Sequence, residues 1–372
     1  MINVIALLSF PLTYVFLSSY EVIMRTTLLC LFINNFLFLV VALSRIKIKK
    51  SYLLLVFFML LNFALGLANN DLSARLIVDE LNIFMFFFKV IAVAYLCQSE
   101  QFFSMVLKYL GYYVVCSIVA AVIGTFFFYT LPQNAGAYVG LTPVAIPFLI
   151  VSMIKGHAFF FVFALLVIFL SGKRAMLLSS LIVIFLYALK SKKSRLLKFS
   201  IPFLFVVPVV LVYVPSDLLS GSFGKIERTV HALGSLDDDI LLQLVGPRYF
   251  EITSIVQDMN PSDYVFGKGG GYTYDLVVGG EVLEVDHANA HFSYLALVSK
   301  YGFVLFFCLG CFFYRALISN GADRNTRLFL KLYLVSFMFE SMFSYLIFND
   351  RILHFVIGVL LVRVGRVRKY NV

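Results

Sequence analysis

His157-Ala-Phe-Phe-Phe-Val-Phe-Ala-Leu-Leu-Val-Ile-Phe-Leu-Ser-Gly-Lys-Arg-Ala-Met-Leu-Leu-Ser-Ser-Leu-Ile-Val-Ile-Phe-Leu-Tyr-Ala-Leu-Lys-Ser-Lys-Lys-Ser-Arg-Leu-Leu-Lys198 is the stretch that decides the fold class. Two apolar runs, 157–171 and 175–189, flank a short polar turn, and five basic residues follow between Lys190 and Lys198. A helix that is apolar all round has no face to offer water, and the bilayer is the solvent such runs fit. A basic cluster directly after a span marks its cytoplasmic end.

The same pattern fills the chain. Of 372 residues, 62% are hydrophobic and 13% charged, with a mean hydropathy of +0.96. Soluble domains hold about 45–50% apolar and roughly 25% charged residues, which excludes a soluble enzyme. Apolar runs at 2–18, 22–44, 52–68, 81–98, 106–131, 139–154, 157–171, 175–189, 199–215, 291–315, 328–348 and 352–364 predict an all-α, polytopic helical membrane protein of about 12 transmembrane helices. The runs 139–154 and 157–171 are short, and Pro143 and Pro147 mark the first as kinked or re-entrant. The opening Met-Ile-Asn-Val-Ile-Ala-Leu-Leu lacks a basic n-region and reads as a retained first span, not a cleaved leader.

Charge divides the chain by side. Its net value is +10, yet 12 of the 20 acidic residues lie between Asp217 and Asp286. That stretch has only Lys225, Arg228, Arg248 and Lys268 as basic partners, so it carries −8 and the remainder +18. The positive charge therefore reads as topology, not as a nucleic-acid surface. With Met1 cytoplasmic, the clusters Arg45 to Lys50, Lys190 to Lys198, Arg315 to Lys331 and Arg363 to Lys369 all fall on the cytoplasmic side. Both termini are then cytoplasmic. The organisation expected is helices 1–9 over residues 1–215, a large extracytoplasmic (periplasmic) loop over 216–290, and helices 10–12 with a basic tail over 291–372.

Metal and redox readings are weak. Asp237-Asp238-Asp239 has no second cluster to complete a cation shell and reads as a solvated acidic turn. His287-Ala-Asn289-Ala-His291 has i, i+4 spacing, but no general-base Glu and no third ligand. The five cysteines fall in apolar runs, where thiols behave as small hydrophobes. Gly267-Lys268-Gly269-Gly270-Gly271 lacks the Gly-Lys-Ser/Thr ending of a phosphate loop and reads as a flexible or tightly turning segment. No metal or cofactor is expected.

Three extracytoplasmic features remain. Lys173-Arg174 follows Ser171-Gly172 at the mouth between two spans, Arg248 lies in the long loop, and His291 opens the tenth span in His291-Phe-Ser-Tyr-Leu-Ala-Leu-Val-Ser-Lys-Tyr-Gly302. Basic residues on the side that usually avoids them are costly for orientation, which points to a function. In this order the three resemble the O-antigen polymerase and ligase family. There a His-Asn-x-x-Leu-x-x-Leu-x-x-x-Gly segment follows the large periplasmic loop; here Phe292 replaces the Asn, and the second Leu is displaced to Leu297.

The resemblance implies a metal-independent membrane glycosyltransferase of the bacterial inner membrane. Its donor is a polyprenyl-diphosphate-linked oligosaccharide, with undecaprenyl diphosphate as the carrier. In a polymerase the acceptor is another lipid-linked repeat unit; in a ligase it is the lipid A core. A chain-length regulator and a flippase of the same pathway are the implied partners. Residue chemistry fits independently. The guanidinium forks of Arg174 and Arg248 suit a departing diphosphate. An imidazole at His291 suits removal of the acceptor's hydroxyl proton near neutral pH. Lys173 and His287 are candidate substrate-binding neighbours. A single displacement inverts the anomeric centre, and no carboxylate pair for a retaining route is evident. Polymerase is preferred over ligase because Phe292 departs from His-Asn. A flippase for the same lipid-linked glycan is the alternative from another class.

Two intramembrane charges complete the reading. Lys300 lies nine residues below His291, and Glu340 nine below Asn349 on the next, antiparallel span. Equal depth makes them expected structural partners, since such charges usually pair or face the bundle interior.

Overall fold

The computed structural model describes residues 40, 50–70, 74–108, 111, 142–170, 174–190, 247–278, 281–287, 290, 292–319, 324–342 and 353–361. The expected spans 2–18 and 199–215, and nearly all of 22–44 and 106–131, lie outside them, as do loop residues 216–246. In chain order the described elements are α1 (Lys50–Asn69), α2 (Ala74–Leu96), α3 (Thr142–Lys155), α4 (Ala158–Leu170) and α5 (Arg174–Lys190). Then come α6 (Pro247–Asp258), α7 (Pro261–Phe266), β1 (Tyr274–Val278), β2 (Glu281–His287), α8 (Ser293–Ile318), α9 (Arg324–Glu340) and α10 (Leu353–Leu361).

The described residues are mostly helical, and α8 is the one helix among them long and apolar enough to cross a membrane. Five shorter apolar stretches, Phe57–Asn69, Met85–Leu96, Ala145–Lys155, Ala158–Ile168 and Ala175–Lys190, overlap the expected spans. The count of about twelve rests on the sequence alone. Within this mostly helical set, β1 and β2 form an antiparallel hairpin that the sequence reading did not include, in which Tyr274 pairs with His287 and Val278 with Glu281. The β-branched residues of Asp275-Leu-Val-Val278 and Glu281-Val-Leu-Glu-Val285 suit a pleated surface.

Two compact units divide the described residues. One holds α3, α4, α5 and most of α9. In it α3 and α4 form a helical hairpin that turns at Gly156, where φ is +75° and the His157 N–H donates to the Ser152 carbonyl. Phe148 packs edge-on against Phe160 and Phe163 across that hairpin, and the Tyr187 hydroxyl on α5 donates to the Met153 carbonyl. Over their 14 and 13 described residues, α3 and α4 each extend about 20 Å.

The other unit holds α1, α2, α6, α7, the hairpin, α8, α10 and the last turn of α9. Here the described part of the long loop packs among helices read as spans. Ile255, Met259, Tyr272, Tyr274, Ala296 and Val298 share a buried core, which joins α6, the hairpin and the head of α8. The Ser254 hydroxyl accepts the Val277 N–H and ties β1 to α6. Helices α2 and α10 touch at Gly358, where a Cβ would lie 2.5 Å from the Val93 side chain.

The expected span 328–348 is described as far as Met342. Helix α9 ends at Glu340, and Ser341-Met342 form a turn. The Ser341 hydroxyl donates to the Phe337 carbonyl, competing with the helix ladder, and the Ser341 carbonyl accepts the Ser293 N–H at the head of α8.

Candidate functional site

The glycine-rich segment 267–271 is the structural centre of the second unit. It follows α7, a single short helix with Pro261 at its first position and the Asp263 carboxylate accepting the Asn260 N–H. Beside it, α8 is broken at Gly302, which adopts φ +72° and ψ 176°. In an unbroken helix the Ser299 and Lys300 carbonyls accept from residues four positions on. Here they accept instead from the N–H groups of Lys268 at 2.8 Å and Gly269 at 3.0 Å. The loop caps the break, so the diverted carbonyls keep their partners.

Helix α1 holds the other side of that loop. The Asn62 Nδ2 donates to the Phe266 carbonyl at 2.8 Å, the Asn62 carbonyl accepts the Gly270 N–H at 3.2 Å, and the Asn70 Nδ2 donates to the Gly270 carbonyl at 3.1 Å. Gly66 is so close that a Cβ there would lie 2.1 Å from the Gly270 carbonyl oxygen. Of the two sequence readings of 267–271, tight turning is the observed one.

Above the loop sits a polar cluster. The Lys268 Nζ lies 2.7 Å from Asp258 Oδ2, and the Tyr272 hydroxyl donates to that same oxygen at 2.6 Å. Lys268 also stands 5.1 Å from the Tyr272 ring centroid. Burial first, then the hydrogen bond to Asp258 and its charge, push the Tyr272 phenol well above its usual value. The cluster ties the C-terminus of α6 to the loop and exposes the Asp258 carboxylate.

Arg248, on the first turn of α6, is half-buried. Burial lowers its pKa and the Glu251 carboxylate, one turn along, raises it. Guanidinium stays protonated at any physiological pH, so Arg248 is a partly desolvated cation beside a buried carboxylate. Arg174 is the first residue of α5, in the other unit. His287 ends β2. Lys173 and His291 lie outside the described residues, although His291 directly precedes the head of α8. Arg248, β2 and α8 belong to one compact unit.

Lys300 and Glu340 are both buried, at 2% and 7% exposure. Glu340 adjoins Ser341, which bonds the head of α8, whereas Lys300 lies about 10 Å further along that helix.

Sequence reasoning missed Asn62, Asn70, Asp258 and Tyr272. It noted Gly302 only for its spacing from His291. Only the neighbouring glycine run 267–271 advertised itself in sequence. Compared with models of known protein families, with curated proteins and with solved structures, the chain matches none.

Proposed function

We propose that the protein is a membrane-embedded glycosyltransferase that polymerises polyprenyl-diphosphate-linked oligosaccharide repeat units on the outer face of the bacterial inner membrane. The observation that carries this reading is the order Ser171-Gly172-Lys173-Arg174, then Arg248 in the one long hydrophilic segment, then His291 eleven residues before Gly302. Support also comes from the second unit, where the loop that bears Arg248 is bonded to the helix that follows His291. An anchored loop is what a site shared between the two requires, since catalytic groups must be held in fixed geometry.

In this mechanism His291 accepts the proton of the acceptor hydroxyl as that oxygen attacks the anomeric carbon. The bond to the lipid diphosphate breaks with its electron pair on the leaving oxygen, and the guanidinium groups of Arg174 and Arg248 take up the developing charge. Glu251 holds Arg248 charged and oriented. Lys173 and His287 bind donor or acceptor at the mouth. The metal-independent character is part of the proposal.

Purified protein in detergent, supplied with lipid-linked repeat units alone and a chelator, is expected to make longer glycans. Arg174→Ala, Arg248→Ala and His291→Ala are each expected to abolish that product while protein levels persist, and Arg→Lys to rescue poorly for want of the bidentate fork. Transfer to lipid A core without elongation would assign the ligase reaction. Translocation of the lipid-linked glycan with no new glycosidic bond would assign a flippase and remove the enzyme reading.

A further inference from the structure

The glycine-rich loop is bonded to two helices, and each of them gives its depth. Basic residues mark the cytoplasmic end of both, Lys50 at the start of α1 and Arg315 in the last turn of α8. Asn62, whose carbonyl accepts the Gly270 N–H, lies twelve residues along α1 from Lys50, a rise of about 18 Å. Ser299, whose carbonyl accepts the Lys268 N–H, lies sixteen residues from Arg315, a rise of about 24 Å. In a hydrocarbon layer of about 30 Å, both place the loop tip past the midplane and about 6–12 Å below the outer boundary.

The chemistry of the segment matches that depth. Asn260-Pro-Ser-Asp263 opens α7 with polar groups, and Tyr264-Val-Phe-Gly267 ends it without a charge. Val265 and Phe266 are 44% and 56% exposed. Phe266 adjoins Leu61 and Leu65 of α1, and Tyr264 stacks on Phe303 of α8 with ring centroids 6.4 Å apart. Leu61, Leu65 and Phe303 are exposed as well, so the apolar surface of the two helices runs on across α7. Lys268, the charge at the tip, is paired with Asp258. The N–H groups of Gly267, Lys268, Gly269 and Gly270 donate to the carbonyls of Asp263, Ser299, Lys300 and Asn62. Water would bond such groups in a solvated loop, whereas irregular backbone at hydrocarbon depth must be bonded by protein.

From the agreement of depth, polarity and backbone bonding we infer that α7 and the loop after it form a re-entrant element, with Val265 and Phe266 against the acyl chains of the outer leaflet. Ser262, at the head of α7, stays at the aqueous boundary. The occupant of the patch is lipid and not a second chain, because the patch continues the surface that α1 and α8 present to the bilayer. The inference rests on α1 and α8 crossing the membrane and is independent of the glycosyltransferase chemistry.

The chain has no tryptophan, so Phe266→Trp is a conservative change that installs a single fluorescent reporter. The full chain is purified and reconstituted in phosphatidylcholine vesicles, and its emission is measured with lipid brominated near the head of the acyl chains and with aqueous iodide. Phe266→Trp is expected to be quenched by the brominated lipid and spared by iodide, and Ser262→Trp to show the reverse order. Val265→Trp repeats the first result at an independent position. Phe57→Trp and Phe307→Trp, at exposed sites on α1 and α8, report whether those helices cross the bilayer and are expected to be quenched by the brominated lipid. Iodide quenching at Val265→Trp and Phe266→Trp, with lipid quenching at the two helix sites, overturns the inference and leaves the spans in place. Shielding of both loop reporters from both reagents shows a protein contact and overturns it too. Iodide quenching at the helix sites overturns the spans, and the inference with them.

Discussion

Replacing Gly302 with alanine tests the whole arrangement of loop and broken helix. At φ +72° and ψ 176° the backbone occupies a region that only glycine populates readily, and holding alanine there costs about 1–3 kcal/mol. The added Cβ would lie 2.1 Å from the Val265 carbonyl oxygen and 2.4 Å from its carbon. Both are backbone atoms, so no side-chain rotation relieves the clash and α7 must shift. That shift draws the Lys268 and Gly269 N–H groups from the Ser299 and Lys300 carbonyls, at about 1 kcal/mol each. The alternative relief, an unbroken α8, reforms its own ladder and strands the loop's two N–H groups instead. With the break kept, the loss sums to about 3–5 kcal/mol, a large share of the roughly 5–15 kcal/mol that holds a typical fold. Gly310 on the same helix is the control. A Cβ there meets nothing within 4 Å, and alanine is expected to be neutral or to stabilise by up to about 1 kcal/mol. Unfolding by titration with a denaturing detergent, read by loss of helical circular dichroism, measures both. A Gly302→Ala protein within about 0.5 kcal/mol of wild type would refute the reasoning. So would equal damage at Gly310.

The remaining expectations are shorter. Because the Tyr272 phenol is raised above its ordinary value by burial and Asp258, its contribution is fully present below about pH 10 and fades as pH rises beyond that. Tyr272→Phe is therefore expected to cost about 1 kcal/mol at neutral pH and to flatten the alkaline loss of stability; an unchanged alkaline slope would count against it. Lys300→Met and Glu340→Gln are each expected to lower yield, and the double variant to recover much of it, because each single change strands a buried charge. Purely additive effects in that cycle would show the two are uncoupled. Cysteines introduced at Asp238 and Ser262 are expected to react with impermeant reagents from outside, and those at Ser194 and Asn325 to stay protected. Reversed labelling at either pair would overturn the proposed sidedness.

What the sequence determined by itself is the class of solvent each segment prefers. Burial of Phe, Leu and Ile in lipid adds residue by residue and needs no knowledge of distant partners. The apolar runs and basic clusters are therefore legible along a line, and Arg174, Arg248 and His291 stand out in it because the expected topology puts them on the side that usually lacks basic residues. The hairpin had a signal as well: Gly279-Gly280 between two β-branched stretches is hairpin chemistry, masked by the reading of 216–290 as one hydrophilic loop. Tertiary structure alone decided the rest. Gly302 is one of 22 glycines, and nothing local says that it breaks a helix. The break is stable because Lys268 and Gly269, brought in by α7, satisfy the carbonyls it releases. Helix α9 ends at Glu340, where the Ser341 carbonyl accepts the N–H of Ser293, a residue far back in the chain. Asn62 becomes notable only when α1 meets the loop that it bonds. A hydrogen bond depends on two groups meeting in space, and the sequence encodes that meeting only through the fold.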